Sequence, residues 1–252
     1  MGSDGAKIFL AGAGPGGADL LTLKTARLLA QAEIVLHDSL IGPDVLALAN
    51  PRAELIDVGK RCGGKAHPQA EICRLLVEAG QSGALTLRLK GGDPMIFGRA
   101  TEEMQALEAA GIAYEVVPGI TAALAASASL KRSLTQRLVS RAVHFVAGHA
   151  ADGSTPGHDF TALAQKGGTL AVYMGAQSFG GFAAHLLEAG LDPQTPAIAI
   201  ENATRPDERI ITGTAGSLPG ALRAAGEGPV LILVGEALAV PQPASLLAAV
   251  CA

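Results

Sequence analysis

Short apolar runs alternate with longer stretches in which apolar residues recur at helical spacing. In the first half of the chain, runs rich in leucine and β-branched residues predict strands at 8–11, 34–36, 55–58, 85–89 and 114–117. The stretches between them predict helices at 20–32, 43–49, 68–79 and 99–109. Asp19 is placed to cap the first helix, and Pro43 and Pro68 stand at helix starts. This alternation predicts a parallel sheet with helices on both faces.

The alternation restarts after residue 142. Strands are predicted at 142–147, 169–174, 197–200, 209–212 and 230–234, with helices at 178–189 and 217–224. The crossovers are shorter here, and 197–212 predicts a hairpin. We therefore predict an α/β fold of two domains with mostly parallel sheets, residues 1–117 and 118–252, divided near Pro118.

Composition adds a broad class to this picture. The 252 residues are 49% hydrophobic and 17% charged, against about 25% charged in an average soluble domain, which excludes a disordered chain. No run approaches the roughly 20 apolar residues of a membrane span, and the first residues resemble neither a secretory signal nor a myristoylation site. We expect a cytoplasmic protein with no membrane partner.

Charge and metal-ligand residues exclude further classes. A net charge of −4, no tryptophan and 3% aromatic residues argue against a nucleic-acid partner. The three cysteines form no C-x-x-C pair, and the six histidines show no ligand spacing, so we expect neither a disulfide framework nor a metal site. Cations nevertheless outnumber acids over 58–99 and 116–151. These two stretches are either solvated faces or a surface for a small polyanionic ligand.

The first of two glycine turns is Gly12–Gly17, which satisfies G-x-G-x-x-G between a strand and a helix. With Asp38 at the distance of a ribose-binding acid, this turn alone predicts an NAD-dependent oxidoreductase. Pro15 weakens that prediction, because it removes a backbone N–H from the loop that would bind a pyrophosphate. A tight turn with no ligand is the alternative.

The second glycine turn places Gly91, Gly92 and Asp93 directly after a predicted strand. Ligands of open α/β sheets bind at this edge, glycines permit close backbone approach, and one carboxylate can accept hydrogen bonds from two ribose hydroxyls. The turn therefore favours a nucleoside without phosphate, such as S-adenosylmethionine. An Asp-Pro turn without a ligand is the alternative.

Several segments together resemble one family, the tetrapyrrole methylases, and within it the uroporphyrinogen-III C-methyltransferases. The matching segments are GAGPGGADLLTLK (12–24), HDSL (37–40), VGKR (58–61), RLKGGDPMIFGR (88–99), VVPGITAA (116–123), GH (148–149), YMG (173–175) and ENAT (201–204). The resemblance implies a homodimeric class III methyltransferase with S-adenosylmethionine in a cleft between its two domains. It also implies methylation of uroporphyrinogen III at C-2 and C-7, giving precorrin-2 on the route to sirohaem or cobalamin.

The resemblance also assigns roles to single residues. Asp38 matches the family's proton acceptor, and Lys60 matches its proton donor. The resemblance also implies that the first glycine loop lies beside the tetrapyrrole and does not bind a dinucleotide. The implied contacts of S-adenosylmethionine are Pro15, Gly91, Gly92, Asp93, Ile96, Thr121, Ala122, Met174 and Ala203. The substrate carries a ring of carboxylates, which arginine pairs in bidentate fashion. Our candidates for these contacts are Arg61, Arg99, Arg132 and Arg137.

One departure from the family pattern leaves the substrate open. Residues 131–137 are KRSLTQR, where relatives commonly have a stretch like GIPLTHR. A methyltransferase for a later precorrin is therefore one alternative, and an NAD-dependent oxidoreductase or a non-catalytic ligand carrier are two others. The end of the chain soon after its last strand leads us to expect the methylation step alone.

Overall fold

The computed structural model describes residues 7–59, 68–149, 156–224, 226 and 228–239. The chain divides into two compact units, Met1–Ala125 and Ala126–Ala252, each built of helices around one sheet. The two α/β domains are thus as predicted. The division falls inside a helix that the sequence did not predict, whereas the predicted boundary at 117/118 lies ahead of that helix.

The first unit alternates strands and helices. Its elements are β1 (Ile8–Gly12), α1 (Leu23–Gln31), β2 (Ile34–His37), α2 (Pro43–Leu46), β3 (Glu54–Asp57), α3 (Gln69–Ser82), β4 (Thr86–Lys90), α4 (Ala100–Ala109), β5 (Tyr114–Val117) and the start of α5 (Ala122–Leu130). The strand order is β3-β2-β4-β1-β5, and every pair is parallel. The carboxyl ends of all five strands therefore meet at one edge.

Alternate side chains of these strands enter two separate cores. In β1, Phe9 and Ala11 pack with α1, whereas Ile8 and Leu10 pack with α3 and α4. Strand β4 follows this alternation on one face only. Leu87 and Leu89 lie in the α1 core, but the residues that alternate with them on the α4 face are the cations Arg88 and Lys90.

The second unit has a mixed sheet. Its elements are β6 (Ala142–Ala147), α6 (Phe160–Leu163), β7 (Gly168–Tyr173), α7 (Phe179–Glu188), β8 (Pro196–Glu201), β9 (Arg209–Thr214), α8 (Leu218–Ala221) and β10 (Val230–Val234). The order is β6-β7-β10-β8-β9, with β6 and β7 parallel and the other pairs antiparallel. The hairpin predicted over 197–212 is confirmed. The sheets are predicted to be mostly parallel, and this holds for the first sheet only, because three of the four strand pairs of the second sheet are antiparallel.

Helix starts differ most from the prediction. Helix α1 is capped by Thr22, whose hydroxyl accepts a hydrogen bond from the Thr25 N–H, so the cap predicted at Asp19 is wrong. Asp19 lies in a preceding 3-10 turn. Helices α5 and α6 were not predicted. None of the helices among the described residues is long and apolar enough to span a membrane.

Candidate functional site

Three loops meet backbone to backbone where β1, β4 and β5 end. Gly92 donates its N–H to the Gly14 carbonyl at 2.7 Å, and Gly14 donates back to the Gly92 carbonyl at 3.2 Å. A Cβ atom at Gly12 would lie 2.5 Å from the Gly92 carbonyl oxygen and 2.6 Å from the Gly119 Cα. Only glycine permits this approach, since real Cβ contacts are not that short. The first glycine loop therefore packs against the second.

This packing uses the amides that a pyrophosphate would need. The N–H groups of Ala13 and Gly14 are donated to carbonyl oxygens of the β4 segment, and the Ala18 N–H is donated to the Asp44 carboxylate at 3.2 Å. Pro15 has no N–H to give. These pairings argue against the dinucleotide site predicted from G-x-G-x-x-G.

Asp93 links the second glycine loop to the loop that follows β5. Its Oδ1 accepts from the Met95 N–H at 2.8 Å, and its Oδ2 accepts from the Gly119 N–H at 2.9 Å. A carboxylate oxygen can accept more than one hydrogen bond, so both oxygens keep capacity for a hydroxyl donor. The side chain predicted to bind ribose thus also fixes the shape of this edge.

The other predicted cofactor contacts of the first unit lie at the same edge. Thr121 is buried directly before α5, and its Cα would lie 3.9 Å from a Cβ at Gly92. Ala122 is the first residue of α5, and Ile96 donates its N–H to the Asp93 carbonyl at 3.3 Å. Loops after β1, β4 and β5 therefore place Pro15, Gly91, Gly92, Asp93, Ile96, Thr121 and Ala122 around one edge.

The remaining two predicted cofactor contacts, Met174 and Ala203, lie in the second unit. Met174 follows β7 with a left-handed φ of 55°, and its side chain is half-exposed. Its carbonyl oxygen forms a hydrogen bond with Nδ1 of the His149 ring. Ala203 follows β8 and is buried. Because β10 is antiparallel to both β7 and β8, these two strands run in the same direction. Met174 and Ala203 therefore lie at one edge of the second sheet, where the buried Asn202 Oδ1 has no partner among the described residues.

Asp38 belongs to a cluster of four charged side chains. Arg88 donates from Nη2 to Asp38 Oδ1 at 2.6 Å and from Nε to Glu103 at 3.1 Å. Lys90 donates to both Glu103 oxygens, at 2.9 and 3.0 Å. The side chains of Arg88, Lys90 and Glu103 are 3%, 4% and 0% exposed, whereas that of Asp38 is 28% exposed. Two buried cations are thus neutralised by one buried and one partly exposed carboxylate.

Burial and charge act differently on the two cations. Burial by itself lowers the pKa of Arg88, but the carboxylates of Asp38 and Glu103 outweigh it and raise that pKa above its ordinary value. For Lys90, burial lowers the pKa and the Arg88 charge lowers it further, and Glu103 offsets only part of this. Arg88 is therefore a permanent cation beside Asp38.

The sequence did not predict this cluster. Arg88 and Lys90 lie in the cation-rich stretch 58–99, for which the sequence predicts either solvated faces or a surface for a polyanionic ligand, whereas the structure buries both and pairs them within the protein. Glu103 was not singled out at all. The available signal was the pair of cations at alternate positions of an otherwise apolar central strand, with a carboxylate on the helix that follows.

The predicted substrate cations are scattered over both units. Arg99 precedes α4 with φ of 53° and is exposed, and it pairs in bidentate fashion with Glu102 at 2.9 and 2.8 Å. Arg132 and Arg137 lie in the second unit, and no carboxylate of the described residues pairs with either. Lys60 and Arg61 lie outside the described residues.

Comparison with known proteins identifies relatives of this chain. The chain is 40% identical over 237 residues to a uroporphyrinogen-III C-methyltransferase of Synechocystis, covering 93% of this chain and 90% of that protein. It is 45% identical over 236 residues to siroheme synthase 1 of Klebsiella pneumoniae, covering 94% of this chain but 50% of that protein. The chain thus spans about half the length of the siroheme synthases it matches.

Solved structures of methyltransferases also resemble this chain. A uroporphyrin-III C-methyltransferase of Thermus thermophilus, complexed with S-adenosylhomocysteine, aligns with a TM-score of 0.80 and 38% identity, covering 92% of this chain and 98% of that one. A cobalt precorrin-4 methyltransferase aligns with a TM-score of 0.82 and 30% identity, covering 92% and 96%. The profile of the tetrapyrrole (corrin/porphyrin) methylases matches residues 7–219. The chain therefore belongs to the tetrapyrrole methylase family.

Proposed function

We propose that this protein transfers methyl groups from S-adenosylmethionine to carbon atoms of uroporphyrinogen III, at C-2 and C-7, giving precorrin-2. The observation that carries the proposal is the glycine-lined edge of the first sheet, where Asp93 stands between the loops that follow β4 and β5. The 40% identity to a uroporphyrinogen-III C-methyltransferase over 90% of that protein supports the same substrate.

The residues of this edge fit S-adenosylmethionine. Gly91 and Gly92 leave a strip of backbone without side chains, and Asp93 keeps acceptor capacity for two ribose hydroxyls. Thr121 is buried beside that strip. The cofactor, when bound, supplies an electrophilic methyl group on its sulfonium. We assign its further contacts to Pro15, Ile96, Ala122, Met174 and Ala203.

For the proton balance of the reaction we propose Asp38. Its Oδ1 is held by Arg88 at 2.6 Å, and the carboxylate stands at the carboxyl end of β2, on the edge where the glycine loops lie. It can accept the proton that leaves the methylated pyrrole or stabilise the cationic intermediate before that proton leaves. Lys60 is proposed as the proton donor or as the anchor of a propionate.

The substrate carboxylates are proposed to pair with Arg61, Arg99, Arg132 and Arg137. Arg99 already holds the carboxylate of Glu102 with two N–H groups, which is the geometry that a propionate needs. A substrate carboxylate at Arg99 therefore has to share or displace Glu102. We further propose a cytoplasmic homodimer.

One incubation tests the proposal. The purified protein is given S-adenosylmethionine labelled in its methyl group together with uroporphyrinogen III, and the methyl groups on the product are counted by mass spectrometry. Two methyl groups per tetrapyrrole are expected, and none in a reaction without enzyme. Unmethylated uroporphyrinogen III after prolonged incubation overturns the proposal.

A second candidate is methylation of a later precorrin. The likeness to a cobalt precorrin-4 methyltransferase and the departure at residues 131–137 favour it. Incubation with precorrin-2 or a cobalt precorrin in place of uroporphyrinogen III separates the two candidates, because only one of these substrates should gain label.

A further inference from the structure

The charge cluster lies on the central strand of a sheet that is otherwise apolar on this face. Arg88 and Lys90 occupy alternate positions of β4, next to the core of Ile8, Leu36 and Leu107. Transfer of an ion from water into a protein interior costs several kcal/mol even after relaxation, and buried ion pairs often stabilise no better than apolar residues of similar size. Stability alone therefore does not account for two cations at these positions.

The hydrogen bonds of Arg88 use all three nitrogens of its guanidinium. Nε donates to Glu103, Nη2 donates to Asp38, and Nη1 donates to the carbonyl oxygens of Leu89 at 3.2 Å and Leu36 at 3.4 Å. A planar group held in four directions has little rotational freedom left. Its Nη2 is consequently a fixed donor for the one member of the cluster that is partly exposed, Asp38.

Glu103 and Lys90 complete this arrangement. Glu103 accepts from Arg88 and twice from Lys90, so its carboxylate is held from both sides. Lys90 also balances the charge, since two cations then face two carboxylates. The three buried residues form a rigid base, and Asp38 projects from it towards the edge that carries the glycine loops.

We propose that Arg88 is a positioning residue for Asp38. It fixes Oδ1 and so directs the second oxygen, Oδ2, at the reacting tetrapyrrole. Glu103 and Lys90 hold Arg88 in place. This inference rests on the proposed role of Asp38 in methyl transfer.

Single-turnover methylation tests the pairing, with the enzyme in excess over uroporphyrinogen III and with S-adenosylmethionine varied up to saturation. Asp38→Asn is expected to slow the step about 100-fold, the usual size of a lost acid–base group. Arg88→Lys keeps the positive charge but loses the planar guanidinium that holds several acceptors at once. It is expected to slow methyl transfer about 10-fold, while the KM for S-adenosylmethionine changes less than about 2-fold. Arg74→Lys, the same change in an exposed helical ion pair, is expected to leave the rate unchanged.

The double variant distinguishes positioning from a general effect on the fold. If Arg88 acts through Asp38, Arg88→Lys has no further effect in the Asp38→Asn background. Equal slowing in both backgrounds overturns the proposal. Each variant is shown to be folded if S-adenosylhomocysteine raises its melting temperature, which measures binding.

A second variant covers the case in which Arg88→Lys does not fold. Asp38→Glu leaves the buried base intact and moves the carboxylate by one methylene, and it is expected to slow the step about 10-fold although the charge is retained. A wild-type rate for Asp38→Glu contradicts positioning. A wild-type rate for Asp38→Asn removes Asp38 from the mechanism and this inference with it, whereas an inactive wild-type protein is instead a failure of the proposed function.

Discussion

Replacing Glu103 with glutamine removes the charge of the buried carboxylate and almost preserves its size and shape. Glu103 is fully buried and accepts three hydrogen bonds from Arg88 and Lys90, at 2.9 to 3.1 Å. In the variant, two buried cations face an amide, and only Asp38 remains to balance them. Breaking a buried pair by removing one partner typically costs about 3–5 kcal/mol, so we expect the free energy of unfolding to fall by that amount.

The control is the same substitution at an exposed ion pair. Glu78 pairs with Arg74 one turn apart on α3, and both side chains are more than half exposed. Exposed helical pairs contribute about 0.3–0.5 kcal/mol, so Glu78→Gln should be nearly neutral. The comparison therefore isolates burial, because the chemical change is identical in the two variants.

Urea denaturation measures the difference. With an m value of about 3 kcal/mol/M, Glu103→Gln should lower the midpoint by about 1 M or more at unchanged m, and Glu78→Gln by about 0.2 M or less. A loss for Glu103→Gln no larger than that for Glu78→Gln would refute the reasoning. It would mean that the cations near Glu103 are solvated and do not depend on its charge.

Three further predictions follow from single contacts. Gly12→Ala should lower the free energy of unfolding by about 1–3 kcal/mol and should abolish the affinity for S-adenosylhomocysteine. Gly180→Ala, in open space on α7, should raise the free energy of unfolding by about 0.5–1 kcal/mol. Chemical denaturation measures the stability of both variants. Thr22→Ala should lose about 1 kcal/mol through its helix cap, and Asp19→Ala almost nothing; equal losses would contradict the assignment of the cap. Burial, and then a neighbouring carboxylate, raise the pKa of Cys73. With the other two cysteines changed to serine, its alkylation by iodoacetamide should therefore reach half its maximal rate at a higher pH than for free cysteine, and a midpoint at or below that of free cysteine would contradict this.

The strands were predictable because burial on both faces leaves a continuous apolar run. The predicted strands at 114–117, 142–147 and 230–234 coincide with β5, β6 and β10. Helix α5 was not predictable in this way, because its sequence AALAASASL has small or apolar residues all around the helix and so shows no 3.6-residue period. The parallel or antiparallel pairing of the second sheet was also not predictable, because the sequence of one strand does not determine the direction of the strands beside it.

The glycine edge was predictable and the charge cluster was not, for one physical reason. Gly91, Gly92 and Asp93 are adjacent in sequence and follow a strand, so their position at the carboxyl edge of the sheet follows from local pattern and sheet geometry. The contact between Arg88 and Glu103 depends on how α4 packs on β4, which no local pattern contains. Charge counting along the chain therefore could not show that Arg88 and Lys90 are buried and paired within the protein.

Strand β4 connects these two features. Strand β1 leads to β2 and strand β4 leads to β5, in opposite directions across the sheet, and ligands of open α/β sheets bind outside the carboxyl ends of the strands. The loop after β4 lies at this carboxyl edge, and the side chains of β4 lie directly beneath that loop. A charge cluster placed for stability alone has no reason to lie on this strand. A cluster that positions Asp38 needs a rigid support, and β4 provides one because it is an interior strand, hydrogen-bonded on both sides.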